Sequence, residues 1–173
     1  MEDQIILVDI NDNEIGSAGK LEAHEKCLLH RAFSVYLHHE NKLLIQRRAE
    51  GKYHSAGLWA NTCCSHPRVG ENLMEAVERR LKEEAGIICP VQELTSFIYR
   101  EKFETMAEYE LDHVFLGEYN GEFCCNKEEA SEMKYVDIDE IAEDLVKHPQ
   151  KYAAWFIISF PMVYHYLKHG ENI

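Results

Sequence analysis

The chain has no apolar run of membrane-spanning length among its 173 residues. A bilayer core requires about 20 such residues in one helix, so no transmembrane helix is expected and no membrane partner. None of the six cysteines (Cys27, Cys63, Cys64, Cys89, Cys124, Cys125) belongs to a CxxC pair. Adjacent cysteines rarely bond each other, and a chain of this size does not depend on stapling, so all six read as reduced thiols. No internal repeat, low-complexity tract or Pro/Gly-rich linker interrupts the sequence. One domain over 1–173 is therefore expected, long enough to bury roughly 70% of its unfolded surface. Basic residues are scarce: 18 Lys and Arg against 31 Asp and Glu give a formal charge of −13. That balance repels nucleic acid and anionic membranes, and excludes both as partners. It also repels phosphorylated small molecules at long range, so any pocket for one must reverse the field locally. The N-terminal "MEDQIILVDINDNE" lacks a basic n-region, so it is not a signal peptide and a cytoplasmic address is expected. Nothing in the pattern specifies an oligomeric state.

Strand signals fall at "IILVDI" (5–10), which ends in the turn-rich "NDNEIG". They recur at "RAFSVYLHH" and "NKLLIQRRA", a hairpin about Glu40–Asn41, and at "LWANTCC". The stretch "GKLEAHEKCLLH" is ambiguous between helix and strand. Over 70–86, Leu73, Val77 and Leu81 form an i, i+4, i+8 apolar line that stops at Gly86, a helix. "QELTSFIYREKFE", "EYELDHVFLGEY" and "MKYVDI" read as further strands, with "NGEF" as a turn. "DIDEIAEDLVKH" and "AAWFIISFPMVYHYLKH" read as terminal helices separated by Pro149, the second bent at Pro161. Strands around one long helix, followed by terminal helices, imply an α+β sandwich with a mixed sheet rather than regular βαβ winding.

Several groups bear chemistry. Arg80 and Glu84 share one face of the 70–86 helix, and Arg79 and Glu83 the next; taken alone these are weak surface pairs. In "EYELDH" the period of two puts Glu108 and Glu110 on one strand face, opposite Tyr109, Leu111, His113 and Phe115, the natural core side. The glutamates then line a site if the terminal helices cover them. His24, His30 and His66 each lie beside another reactive group. With Glu108 and Glu110 they compose an N3O2 donor set suited to Mg, Mn or Zn. His38, His39, His54, His148, His165 and His169 suggest no function, and His113 a core or edge position. Cys64 is open to four readings: metal ligand, disulfide partner, buried filler, or proton donor.

The segment "SHPRVGENLMEAVERRLKEEAGI" resembles the Nudix box. Ser65 stands in place of its opening Gly, and Arg80 in place of a metal-binding Glu. An arginine there removes an anionic ligand and offers a cation to phosphate. Together with "KLEAH", "LLHRAFSV", "LLIQRR", "LWANTCCSHP", "EYELDH" and "AAWF", the chain from about Ile5 to Val163 resembles type 1 isopentenyl-diphosphate isomerase, a Nudix-fold family. The resemblance implies a single-domain α/β/α sandwich. It implies interconversion of isopentenyl and dimethylallyl diphosphate by protonation and deprotonation through a tertiary carbocation. The implied catalytic group is Cys64, Glu110, Tyr99 and Trp155, and Lys20, Arg48, Lys52 and Arg80 hold the diphosphate. A divalent cation (Mn2+, Zn2+ or Mg2+) falls to His24, His30, His66, Glu108 and Glu110. Mg2+ with the diphosphate falls to Glu84 and the backbone carbonyl of Cys64. The competing readings are a Nudix hydrolase of a nucleoside diphosphate derivative, against which Arg80 counts, and a non-catalytic metal-binding module.

Overall fold

The structure, a computed structural model, describes residues 4–52 and 54–170. The first three residues of the N-terminal segment, and both ends of the domain expected over 1–173, lie outside the described residues. The described chain forms strands β1 (Gln4–Val8), β2 (Glu14–Gly19), β3 (His30–His39), β4 (Lys42–Arg48), β5 (Trp59–Ala60), β6 (Cys63–Ser65), β7 (Gln92–Lys102), β8 (Ala107–Glu118) and β9 (Ala130–Asp137). Its helices are α1 (Lys20–Glu25), α2 (Leu73–Ala85), α3 (Ile138–Lys147) and α4 (Ala154–His169), with a 3-10 turn at Pro149–Lys151. No described helix is long and apolar enough to cross a membrane.

Strand β3 organises the sheet. One edge pairs in parallel with β8 along its length, from His30 opposite Glu110 to His38 opposite Glu118. The other edge is shared: Leu7 of β1 faces His30, β6 pairs antiparallel with Phe33–Val35, and β4 pairs with Leu37–His39. Beyond Leu37 and Leu44 the β3–β4 hairpin opens into a V, and "WANTCC" fills it. The expected single strand here is two, β5 on β4 and β6 on β3, because the strands have diverged too far for one segment to pair with both. Side chains bridge the gap. Thr62 accepts from the Leu37 N–H (2.9 Å) and donates to the Leu44 carbonyl (2.6 Å). Asn61 donates to the carbonyls of Val35 (3.2 Å) and Cys63 (2.6 Å). β7 extends β8, β9 extends β4, and β1–β2 flank the start of β3.

Alternation along β3 and β8 sorts side chains into two cores. Phe33, Val35, Leu37, Leu44 and Phe115 meet Val77, Leu81 and Ala85 of α2. Tyr36, Leu43, Ile45, Val114 and Leu116 meet Trp155, Phe156, Phe160 and Val163 of α4. The face of β8 carrying Glu108 and Glu110 is therefore covered, and Val114 and Leu116 farther along it join the α4 core. Core residues lie on both faces, not only on the Tyr109 side. Helix α2 starts at a capping box, in which Asn72 Oδ1 accepts from the Glu75 N–H (2.9 Å) and the Asn72 N–H donates to Glu75 Oε2 (3.2 Å). It ends at Gly86 with φ 67°, a left-handed position that suits glycine. Helix α4 runs through Pro161 without interruption. Glu14–Gly19, part of it read as turn, forms β2 because it pairs with all of β1. Within the ambiguous segment, Lys20–Glu25 forms the short helix α1, Gly19 ends β2 and His30 begins β3. All six cysteines are free thiols.

Replacing Thr62 by Val keeps the shape but orphans a buried N–H and a buried carbonyl. At about 1–3 kcal/mol for each group left unpaired, the unfolding free energy in denaturant falls by about 3 kcal/mol. Asp139 accepts from Lys168 (2.8 Å), Tyr164 (2.7 Å) and Asn41 (3.1 Å), fastening α4 to the start of α3. Lys168 first, then Tyr164 and Asn41, hold its carboxyl at about 2, below the ordinary 3.8. A depressed carboxylate stabilises the fold above its unfolded pKa, and that contribution fades as pH falls through the folded value. Between about pH 4 and pH 2 the thermal midpoint of Asp139→Asn falls less steeply than that of the parent chain.

Candidate active site

Four segments converge on one chamber, which Trp155 near the start of α4 also lines. α1 contributes His24 and β3 contributes His30. β6 and the turn after it contribute Cys64 and His66. β8 contributes Glu110, fixed opposite His30 by the β3–β8 register. The donor atoms of His24, His30, His66 and Glu110 all lie within 4.8 Å of one another. Glu110 Oε1 is 2.9 Å from His66 Nε2, 3.4 Å from His30 Nε2 and 3.8 Å from His24 Nε2. His30 is fully buried; its Nδ1 sits 2.8 Å from the Leu28 carbonyl, which selects the tautomer with Nε2 free to accept a metal. That Nε2 is buried and makes no aligned hydrogen bond. Burial holds His66 down at about 3, so its imidazole is neutral at physiological pH and keeps a lone pair. Three imidazoles and a carboxylate around one point fit a divalent cation.

Glu108 lies outside this group of four. Its Oε1 is 3.1 Å from His54 Nε2, and Tyr99 donates to Glu108 Oε2 (3.2 Å) and to Glu110 Oε2 (2.7 Å). The expected N3O2 set is thus N3O with a second carboxylate alongside it. Burial and the adjacent Glu110 raise Glu108 well above the carboxylate range. Burial acts on Glu110 in the same direction, but the imidazoles of His24, His30 and His66 outweigh it and hold Glu110 well below. Glu84 also stands apart from the four donors: it is buried, and it accepts from Arg80 (2.6 Å) and Gln46 (3.2 Å).

Two chambers meet at Cys64. The inner one, about 40 Å³, is lined by Cys64, His54, Glu108, Glu110, Asp112 and Trp155, among others. The outer one, about 240 Å³, is lined by Lys20, Arg48, Lys52, Arg68, Arg79 and Arg80, together with Glu129. Lys20 and Arg48 border both. The outer chamber is the local reversal of charge that the acidic total requires. At the boundary, Arg48 Nη1 lies 3.8 Å from Cys64 Sγ, and its guanidinium lies 5.0 Å from the Trp155 ring centroid. Burial pushes the Cys64 thiol up to about 12, against the pull of Arg48. Trp155 is buried, and its Nε1–H donates to Asn61 Oδ1 (2.9 Å), so the V-filling segment also aims the indole. Arg79 donates to both Glu71 oxygens from one guanidinium edge, through Nε at 2.6 Å and Nη2 at 2.9 Å.

Two titratable residues of the inner chamber, His54 and Asp112, carry no assignment from sequence. His54 comes from the loop between β4 and β5, where no periodicity marks it. Burial, then Arg48, hold it down at about 3. Asp112 did carry a signal, since the two-residue period of Glu108 and Glu110 continues to it. It is buried, Ser34 donates to its Oδ2 (2.8 Å), and burial raises it well above the usual range.

Residues 28–156 match the family described as NUDIX domain. The chain is 49% identical to isopentenyl-diphosphate Delta-isomerase 2 of Aromatoleum aromaticum over 157 residues, 90% of this chain and 83% of that one. It is 47% identical to isopentenyl-diphosphate Delta-isomerase 2 of Photorhabdus laumondii, covering 90% of this chain and 89% of that one. Among solved structures, a protein from Deinococcus radiodurans superposes with a TM-score of 0.75 at 14% identity, covering 91% of this chain and 97% of that one, a likeness of fold.

His30→Ala removes a donor fixed on both sides. Its affinity for Mn2+ or Zn2+, read by competition with a chromogenic chelator, falls by more than the about 10–100-fold typical of losing an outer partner. Near-parental affinity would mean that the cluster does not bind the ion.

Proposed function

The chain belongs to the NUDIX domain family and, within it, to the isopentenyl-diphosphate Delta-isomerases, and on that premise we propose that Cys64 and Glu110 carry the proton shift across the inner chamber. The reaction interconverts isopentenyl and dimethylallyl diphosphate. A proton adds to the terminal methylene of the alkene, leaving a tertiary carbocation. A proton then leaves the carbon on the diphosphate side, and the double bond reforms one position over. The observation that carries the assignment is a thiol and a carboxylate lining one small buried chamber, joined to a larger cationic one.

The two groups are suited to the task. Cys64 keeps its proton at neutral pH, and the three imidazoles hold the Glu110 carboxyl down, toward the carboxylate. Each is the acid in one direction of a reversible reaction and the base in the other. Tyr99, bonded to both Glu108 and Glu110, orients the carboxylate and offers it a second proton partner. Trp155 presents a π face to the cation, a contact worth about 2 kcal/mol when desolvated. The buried walls keep out water, which would quench the carbocation. Lys20, Arg48, Lys52 and Arg80 grip the diphosphate in the outer chamber.

His24, His30, His66 and Glu110 would hold one divalent cation (Mn2+, Zn2+ or Mg2+), with Glu108 beside it. When bound, it supplies positive charge that sets the acidity of Glu110. Glu84, with the Cys64 carbonyl, would take Mg2+ accompanying the diphosphate, after exchanging its bonds to Arg80 and Gln46.

Isopentenyl diphosphate, Mg2+ and the protein in deuterated water yield dimethylallyl diphosphate carrying deuterium, followed by NMR. Release of phosphate instead would identify a hydrolase. Cys64→Ala and Glu110→Gln each lower kcat by at least about 10²–10⁴ with the circular dichroism spectrum preserved. Parental turnover in either variant would remove that residue from the proton transfer.

A further inference from the structure

The outer chamber contains one carboxylate with no part in the reaction above. Glu129 Oε2 pairs with Lys52 Nζ, and its Oε1 lies 3.1 Å from Arg80 Nη2. Two of the four cations assigned to the diphosphate are thus occupied by an internal anion. The placement is built into the backbone. The register of β4 against β9 shifts between Arg47 and Arg48, a bulge that brings Arg48 opposite Ala130, the residue after Glu129. The Glu129 carbonyl accepts from the Ala49 N–H (3.0 Å), and its N–H donates to the Asn126 carbonyl (3.0 Å). Asn126 is tied in turn to the end of α2, its N–H donating to the Glu84 carbonyl (2.9 Å) and its side chain to the Glu83 carbonyl (3.2 Å). Glu129 is therefore locked to the helix that carries Arg80 and to the strand that carries Arg48. Its side chain is about one-fifth exposed, enough for an incoming anion to reach. Burial would raise its carboxyl, but Lys52 and Arg80 prevail and keep it ionised.

We infer that Glu129 is a displaceable counter-anion of the diphosphate pocket: a positioning residue that holds Lys52 and Arg80 ready and competes with the substrate for them. A pocket of unopposed cations would bind both isomers tightly and release product slowly. An internal carboxylate that returns as the diphosphate departs weakens that grip, while its like charge disfavours anions unable to displace it. The inference rests on the outer chamber being the diphosphate pocket.

The test uses the full chain and inorganic pyrophosphate at fixed Mg2+, with binding read by calorimetry and KM for isopentenyl diphosphate measured alongside. Glu129→Gln and Glu129→Ala each tighten pyrophosphate binding by about tenfold and lower KM in parallel, as expected when a like charge leaves a partly buried site. Glu129→Asp, which keeps the charge, stays near the parental value. A residue that merely braced Lys52 and Arg80 would give the opposite sign, so weaker or unchanged binding in Gln and Ala overturns the inference while leaving the pocket intact. Pyrophosphate that fails to bind parent and variants alike, while isomerisation proceeds, overturns the inference together with the pocket it rests on.

Discussion

Everything in the molecule depends on the way β3 and β4 part. A hairpin paired to its ends would present a flat surface with no concavity. Instead the two strands separate after Leu37 and Leu44, and the "WANTCC" segment enters the opening. Entry would leave backbone groups on the diverging strands without ladder partners, and Asn61 and Thr62 supply the missing bonds from their side chains. The segment that repairs the sheet also delivers the chemistry. Its alternation sends Cys63 into the core against α2 and Cys64 to the chamber. Asn61 holds the indole of Trp155 from the opposite layer. A one-residue slip of β6 on β3 would exchange the two thiols.

The electrostatics follow the same division of space. A chain with a charge of −13 is a poor place for a diphosphate. The remedy is to segregate the signs. Acidic groups gather around three imidazoles in the inner chamber, where the two neighbouring glutamates are pushed in opposite directions, Glu108 up and Glu110 down. Basic groups gather in the outer chamber a few ångströms away. Coulomb energies fall with distance and with solvent screening, so the local field of the cations governs inside the pocket while the global charge governs far from it. Arg80 shares in this: it stands where the resemblance to the Nudix box implies a metal-binding glutamate, and it puts a cation on that wall.

Features set by local physics were legible in the sequence. The apolar line and stop glycine of α2 are a short-range pattern, and the structure places the helix within 70–86. The turn about Glu40–Asn41 is legible for the same reason: Glu40 takes a positive φ of 52° in a tight connection. The period of two in β8 puts Glu108 and Glu110 on one covered face. Features set by tertiary partners were less legible. His54 occupies a loop whose course depends on the opening of the V. The pairing of Glu108 with His54, rather than with the three other imidazoles, follows from that same unmarked loop. The short β2 exists only because β1 lies beside it. In each case the deciding contact is remote in sequence, and no local spacing encodes it.

The parallel register that sets His30 opposite Glu110 joins the first quarter of the chain to its last half. Such a pairing closes a long loop, and the entropy of closure must be met before the contact returns any stability. The hairpin and α2 form from neighbours along the chain, whereas this junction waits for both partners to arrive. His24, His30, His66 and Glu110 bring donor atoms from both sides of that junction within 4.8 Å of one another, so a divalent ion bound there would favour the assembled state over the open one. Such an ion would act as a clasp, adding to the stability of the closed fold as well as to its chemistry.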